Sequence, residues 1–238
     1  MKRLLLMSSS RKGDGEYLEH ADEQFRTFLR GAVGRVLFIP YAAVTYGFGE
    51  YEGRVAGVFA RLGVEAVSIH RFPDARRAVE QAEAIVVGGG NTFVLLQRLY
   101  ASGLVEAVRE RVEAGTPYIG WSAGTNVACP TIRTTNDMPV AQPPSLDAFR
   151  LVPFQINPHF IPGKPEGHNG ESREERLAEF LVVNPGESVL ALREGSALLV
   201  EGAAARLLGD RDALVFRQGG TVETIGAGES FSVERING

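Results

Sequence analysis

Short apolar runs alternate with longer amphipathic segments through the first half of the chain, and this alternation leaves few folds open. Continuous apolar runs predict buried strands, and apolar residues at helical spacing predict helices. The predicted strands are residues 4–6, 36–39, 66–69, 84–87 and 118–119. The predicted helices are residues 17–29, 55–62, 74–81 and 104–114, with another that begins at Thr92. Strands that alternate with helices imply βαβ units, and therefore an α/β fold with a mostly parallel sheet.

The pattern changes in the last part of the chain. Apolar runs there are separated by turns that contain glycine, which predicts antiparallel strands. These strands are expected at residues 189–192, 197–200, 213–216 and 222–225. No repeat, linker or low-complexity tract divides the 238 residues, so a single domain at residues 1–238 is expected.

The composition excludes several classes of function. Hydrophobic residues make up 44% and charged residues 23% of the chain, as in an ordinary globular protein. The net charge of −4 is spread without a basic block, so no nucleic acid partner is expected. No run of about 18 apolar residues predicts a membrane helix, and the apolar run at 4–7 is too short for a signal peptide. The single cysteine, Cys129, excludes an intrachain disulfide. We therefore expect a cytoplasmic enzyme that acts on a small molecule, either as a monomer or as a homodimer.

The stretch Gly120-Trp121-Ser122-Ala123-Gly124 directly follows the last of the predicted parallel strands. Glycines two residues on either side of a serine permit the sharp strand-to-helix turn that exposes a nucleophilic hydroxyl. Such a hydroxyl still needs a base to take its proton and donors to meet the developing oxyanion. Ser122 is therefore a candidate nucleophile whose partners must lie elsewhere in the chain.

The base is sought among four histidines. His159 follows Asn157-Pro158 at the end of an apolar run, and strand ends carry the active sites of doubly wound sheets. The sequence favours His159 as the base. We expect His20 on a solvated helix face, His70 at a strand end and His168 in a loop.

A metal site is not expected. The side chains of His159, Glu166, His168 and Glu171 lie close together in the sequence, but their spacing matches no known set of zinc ligands. No cofactor is expected either, because the chain lacks the glycine fingerprints of dinucleotide and nucleotide sites.

The glycine run at residues 88–90 has two interpretations. It follows a predicted strand and leads through Asn91 into a helix, so it can be a tight turn and nothing more. Free N–H groups at such a helix start can also bind an anion. Together with the N–H of Ala123, the run would then complete an oxyanion hole.

Two acids and two arginines are further candidates for the site. A histidine base needs an acid that fixes its tautomer, and the spacing does not choose between Asp137 and Glu194. Arg133 and Arg173 can each bind a substrate carboxylate through two hydrogen bonds.

Five segments occur in an order and at separations typical of one enzyme family. They are GGGNTF (88–93), YIGWSAGTNVACPTIRTTNDMP (118–139), INPHF (156–160), PEGHNGESRE (165–174) and REG (193–195). On these residues the chain resembles peptidase E, the α-aspartyl dipeptidase family of serine peptidases. The resemblance implies a flavodoxin-like layered fold, similar to that of the class I glutamine amidotransferases. It also implies hydrolysis of Asp-Xaa dipeptides through an acyl-enzyme, without a metal or cofactor.

The resemblance also implies roles for individual residues. Ser122 matches the nucleophile and His159 the base. Glu194 matches the acid of a Ser-His-Glu triad, and Asp137 matches a second acid tied to activity, so the choice between them stays open.

The same resemblance extends to the residues that surround the substrate. It implies that Gly90 and Asn91 line the oxyanion hole and the substrate pocket, and that Ala123 contributes its N–H. Arg173 would bind the carboxylate of the N-terminal aspartate, with Arg133 as the alternative.

Two rivals keep the fold and change the activity. One is a cyanophycinase-like hydrolase of β-aspartyl-arginine, against which the block TIRTTNDMP favours the dipeptidase. The other is a catalytically inactive module that binds a small metabolite. The intact Ser122 and His159 argue against it, because an inactive module does not require them.

Overall fold

Two β-sheets form the framework of the protein. The computed structural model describes residues 1–31, 33–164, 166–167, 169–220 and 222–237. In chain order the strands are β1 (Arg3–Met7), β2 (Arg35–Ile39), β3 (Glu65–Ser68), β4 (Ile85–Val87), β5 (Tyr118–Trp121), β6 (Gln155–Asn157), β7 (Ser188–Ala191), β8 (Ala197–Glu201), β9 (Ala204–Leu208), β10 (Ala213–Arg217), β11 (Glu223–Ile225) and β12 (Ser230–Ser232). The helices are α1 (Asp22–Phe28), α2 (Phe48–Ala60), α3 (Ala75–Glu80), α4 (Thr92–Ala101), α5 (Leu104–Glu113), α6 (Ala123–Asn126), α7 (Arg173–Val183) and α8 (Glu234–Asn237).

The larger sheet has the strand order β12-β9-β8-β1-β5-β4-β2-β3. Strands β1 to β5 run parallel to one another, and β8, β9 and β12 pair antiparallel at one side. The smaller sheet has the order β11-β10-β7-β6, in which only β6 and β7 are parallel. The predicted α/β class, with a mostly parallel sheet and antiparallel strands near the C-terminus, is confirmed.

The parallel strands are buried on both faces, as their continuous apolar sequences predict. Leu4 and Leu6 of β1 pack into the cluster on one face, while Leu5 and Met7 pack into the cluster on the other. All four side chains are inaccessible to solvent. This rigid layer fixes where the carboxyl ends of β1, β4 and β5 lie.

Two predictions need correction. The predicted helix at 17–29 is an α-helix only over α1, because Leu18 adopts a left-handed backbone (φ 58°) and a short 3₁₀ turn follows it. His20 lies on that turn, and its ring nitrogens are buried rather than solvated. The predicted strands at 189–192, 213–216 and 222–225 are present as β7, β10 and β11, and together with β6 they form the smaller sheet.

Helix α7 lies in a stretch where the sequence analysis predicts no element. A capping box marks its start, since Ser172 accepts from the N–H of Glu175 and Glu175 accepts from the N–H of Ser172. Leu177 and Leu181, one turn apart, then pack against the smaller sheet. The signal is present in the sequence as Ser-x-x-Glu followed by leucines at helical spacing.

That residues 1–238 form a single domain stays a prediction.

The glycines around Ser122 are required by close packing of backbone against backbone. A Cβ atom on Gly120 would lie 2.5 Å from the carbonyl oxygen of Gly124, and one on Gly124 would lie 2.1 Å from that of Val87. Both distances are far below van der Waals contact. The turn between β5 and α6 therefore tolerates no side chain at either position.

This packing predicts opposite effects for two Gly→Ala substitutions. Gly124→Ala forces backbone atoms apart and should lower the free energy of unfolding by about 3 kcal/mol or more. Gly57→Ala, on the exposed face of α2 with no atom within 4 Å of the new Cβ, should raise it by about 0.5–1 kcal/mol. Urea unfolding measures both values. Equal effects would contradict the packing described.

Candidate active site

Ser122 lies on a strained turn between β5 and α6. Its backbone angles are φ 53° and ψ −113°, a conformation that a residue other than glycine rarely adopts. The turn is held by hydrogen bonds on both sides: the N–H of Ser122 donates to Met7 O at 3.1 Å, and its carbonyl accepts from the N–H groups of Thr125 and Asn126. The hydroxyl is thereby presented at the carboxyl edge of the larger sheet.

His159 joins Ser122 to Glu194. Nε2 of His159 lies 2.9 Å from Ser122 Oγ, and Nδ1 lies 2.8 Å from Glu194 Oε1. An ionised carboxylate only accepts, so Nδ1 carries the proton and the serine hydroxyl donates to Nε2. This is the arrangement of a nucleophile, a base and an orienting acid.

The loops that carry the base and the acid are both held by serines at the end of β1. His159 has a left-handed backbone (φ 54°), and its N–H donates to Ser8 Oγ at 2.8 Å. Ser8 Oγ in turn donates to the carbonyl of Leu192, two residues before Glu194. The N–H of Gly195 donates to Ser9 Oγ at 3.1 Å. Ser8 and Ser9 are not predicted as site residues, and small polar residues directly after the first strand are the only signal that could have indicated them.

The glycine run lies against the nucleophile. A Cβ on Gly89 would lie 3.1 Å from Cβ of Ser122, and one on Gly90, whose φ is 137°, would lie 2.3 Å from Ala42 O. Among the described residues, the N–H groups of Gly90 and Ala123 have no acceptor. These two donors are therefore available to an oxygen atom bound next to Ser122.

Asp137 and Asn91 brace this loop at the start of α4. Asp137 Oδ2 accepts from the N–H and the hydroxyl of Thr92, at 2.7 and 2.6 Å. Asn91 caps α4 by accepting from the N–H of Val94, and its side-chain nitrogen donates to Met138 O. The hydrogen bonds of Asp137 thus go to the helix start, whereas those of His159 go to Glu194. That Asn91 binds substrate stays a prediction.

Arg173 is the first residue of α7 and is half-buried. It donates to Asn136 Oδ1, and Asn136 donates to the carbonyl of Pro158, next to His159. Burial lowers the pKa of Arg173, and the nearby charge of Arg176 lowers it further. Among the described residues Arg173 has no ion-pair partner.

Arg133 has a different environment. Its guanidinium pairs with Glu187, donates to Asn184 Oδ1 and stacks over the ring of Phe180. The side chain thereby ties the segment after α6 to α7 and the smaller sheet. Since its donors already have acceptors, Arg133 is less suited than Arg173 to bind a substrate carboxylate.

His168 lies outside the described residues. Within the described part of the chain, no group of three or more His, Cys, Asp or Glu side chains has the arrangement of a metal site. No helix in that part is long and apolar enough to cross a membrane.

Comparison with known proteins shows the family of this chain. The model of peptidase family S51 matches residues 4–208, which is most of the chain. The chain belongs to peptidase family S51. It is 50% identical over 232 residues to a protein named peptidase E from Pasteurella multocida (strain Pm70), covering 97% of this chain and 99% of that one. It is 51% identical over 218 residues to a peptidase E from Haemophilus influenzae, covering 91% and 100% of the two chains.

A solved structure shares the fold of this family S51 chain. The crystal structure of a peptidase from an acI-B1 actinobacterium superposes with a TM-score of 0.72 at 21% identity, and covers 98% of this chain and 97% of that chain. This likeness shows the fold. The family match and the relatives that are about 50% identical confirm the prediction of a serine peptidase related to peptidase E.

Proposed function

We propose that this family S51 protein hydrolyses dipeptides with an N-terminal aspartate, using Ser122 as nucleophile, His159 as general base and Glu194 as the acid that orients His159. The observation that carries the proposal is the continuous hydrogen-bond chain Ser122–His159–Glu194 at the carboxyl edge of the larger sheet. Its substrate class rests on Arg173, a half-buried cation without an ion-pair partner among the described residues.

The first chemical step forms an aspartyl-enzyme. His159 Nε2 takes the proton of Ser122 as Oγ attacks the carbonyl carbon of the aspartyl residue. The carbonyl oxygen becomes an oxyanion, which the N–H groups of Gly90 and Ala123 stabilise. His159 then gives the proton to the leaving amine, and the peptide bond breaks.

The second step releases aspartate. A water molecule enters where the amine left, and His159 takes its proton as the water oxygen attacks the ester carbonyl. The same two N–H groups meet the second oxyanion. Glu194 accepts from Nδ1 throughout, and thereby keeps Nε2 facing Ser122 and stabilises the imidazolium that forms in each step.

Arg173 provides the proposed recognition of the aspartate side chain. A positive charge at the N-terminus of a helix opposes the helix dipole, so Arg173 at the first position of α7 does not serve to stabilise that helix. The dipole and the guanidinium instead add up to an attractive site for a carboxylate. Asn136 holds the guanidinium beside the loop of His159.

Asp137 is assigned to support rather than to acid–base chemistry. Its Oδ2 fixes Thr92, two residues after Gly90, so it would act on catalysis through the position of Gly90. A cytoplasmic location is part of the same proposal.

Hydrolysis of Asp-Leu tests the proposed function. We expect the wild type to release leucine and Ser122→Ala to lose at least about a thousandfold in kcat, because no other group can form the aspartyl ester. Circular dichroism establishes that the variant is folded. No hydrolysis by the wild type, hydrolysis of β-Asp-Arg in its place, or full activity of the variant would overturn the proposal.

Arg173→Ala tests the substrate specificity. We expect the ratio of kcat/KM for Asp-Leu to that for Asn-Leu to fall by at least about a hundredfold, because a buried charge pair is lost only with the acidic substrate. The matched control is Arg133→Ala, which removes an arginine already paired with Glu187. If Arg133→Ala loses the selectivity and Arg173→Ala keeps it, the carboxylate is bound at Arg133.

A further inference from the structure

Tyr51 lies against the glycine run at residues 88–90. It is a buried residue of α2, and its hydroxyl donates to the carbonyl oxygen of Gly89 at 2.9 Å. The hydroxyl of Tyr17 donates to the hydroxyl of Tyr51 at 3.3 Å. Two phenols thus form a short hydrogen-bond chain that ends on the backbone next to the nucleophile.

The glycine run is packed tightly between this phenol and Ser122. A Cβ on Gly88 would lie 2.4 Å from the hydroxyl oxygen of Tyr51, and one on Gly89 would lie 3.1 Å from Cβ of Ser122. A side chain at Gly88 would overlap the phenol, and one at Gly89 would force its neighbours to shift. Because Gly88 has no side chain, the hydroxyl of Tyr51 can approach the backbone of the loop closely.

The geometry of one peptide unit links Tyr51 to the oxyanion hole. No cis peptide bond is present among the described residues, so the C=O of Gly89 and the N–H of Gly90 point in opposite directions. Because Tyr51 binds the carbonyl, the N–H of Gly90 is directed away from the Tyr51 hydroxyl. Like the N–H of Ala123, that N–H has no acceptor among the described residues.

This peptide unit needs a constraint that its own residues do not supply. Gly89 and Gly90 lack the side chains that restrict backbone rotation, so the unit between them can turn at low cost. A turn would bring a carbonyl oxygen, which repels the oxyanion, to the place of the N–H. The buried carbonyl of Gly89 would then also lose its donor.

Tyr51 is well suited to act as a permanent donor. Its ring packs edge-on against Phe38 and Tyr46, which fixes the direction of the hydroxyl. Burial raises the pKa of Tyr51 well above its usual value, and burial also raises that of Tyr17. Both phenols are therefore protonated at neutral pH and can donate.

We propose that Tyr51 is a positioning residue of the reaction, which holds the N–H of Gly90 in the oxyanion hole through the carbonyl of Gly89, with Tyr17 as its support. The role deepens the proposed function, since it requires that Gly90 meets the oxyanion. It does not require that the substrate is an aspartyl dipeptide.

Tyr51→Phe removes the hydroxyl and keeps the ring. We expect kcat for Asp-Leu to fall about tenfold with KM changed less than about twofold, because the oxyanion exists only after attack. Tyr17→Phe should lower kcat by about twofold to threefold, since it weakens the donor without removing it. The control is Tyr100→Phe, which removes a hydroxyl that donates to Asp147 O on another surface and should leave kcat unchanged.

A second measurement does not depend on the substrate. A small fluorophosphonate forms a bond from phosphorus to Ser122 Oγ, expels fluoride and places its phosphoryl oxygen in the same hole. We expect Tyr51→Phe to slow this modification, measured by mass spectrometry, by about the factor found for kcat. Aspartate as a competitive inhibitor should bind wild type and variant equally.

The outcomes separate the two claims. A Tyr51→Phe protein with the kcat and modification rate of the wild type overturns the role of Tyr51, as does a loss confined to KM. If the wild type does not hydrolyse Asp-Leu, the proposed function fails and the modification rate alone decides the role of Tyr51. If circular dichroism shows that Tyr51→Phe is unfolded, the same comparison with Tyr17→Phe decides it.

Discussion

The hydrogen bond between His159 and Glu194 is the interaction on which the arrangement of the site depends. It joins a loop after β6 to the connection between β7 and β8, and β7 and β8 belong to different sheets. Ser8, at the end of β1, binds the backbone of both loops and so fixes their separation. With this bond in place, Nε2 of His159 lies 2.9 Å from the hydroxyl oxygen of Ser122.

The backbone around this bond is strained where function requires it. Ser122 and His159 both have positive φ angles, a conformation that residues other than glycine rarely adopt. Each is held by hydrogen bonds to a neighbouring strand end, from Ser122 to Met7 and from His159 to Ser8. The end of β1 in the parallel sheet therefore supplies the constraint.

The sequence predicts those parts of the molecule that local patterns control. The parallel strands follow from continuous apolar runs, and the turn at Ser122 follows from Gly120 and Gly124, whose missing side chains make room for backbone. The capping box at the start of helix α7 is a local signal of the same kind, although the segment contains no long apolar run.

The remaining features depend on contacts between distant segments, which spacing does not encode. The spacing in the sequence does not choose between Asp137 and Glu194 as the partner of His159, and only the fold places one at Thr92 and the other at His159. The smaller sheet is not predicted for a related reason: apolar runs and turn residues predict strands, but they do not predict which strands pair with each other. Nothing in the sequence distinguishes Tyr51 from other aromatic residues. The hydrogen bond from its hydroxyl to the carbonyl of Gly89 is seen only in the structure.

The central claim is that Glu194 is the acid behind His159, and the kinetics of Glu194→Gln test it most directly. The substitution keeps the shape of the side chain and removes the charge that holds Nδ1–H. With Asp-Leu as substrate we predict that kcat falls at least about a hundredfold while KM changes by no more than a few-fold. Glu201→Gln, which alters an exposed glutamate paired with Arg3, is the matched control and should have no effect. An unchanged kcat in Glu194→Gln would contradict the account.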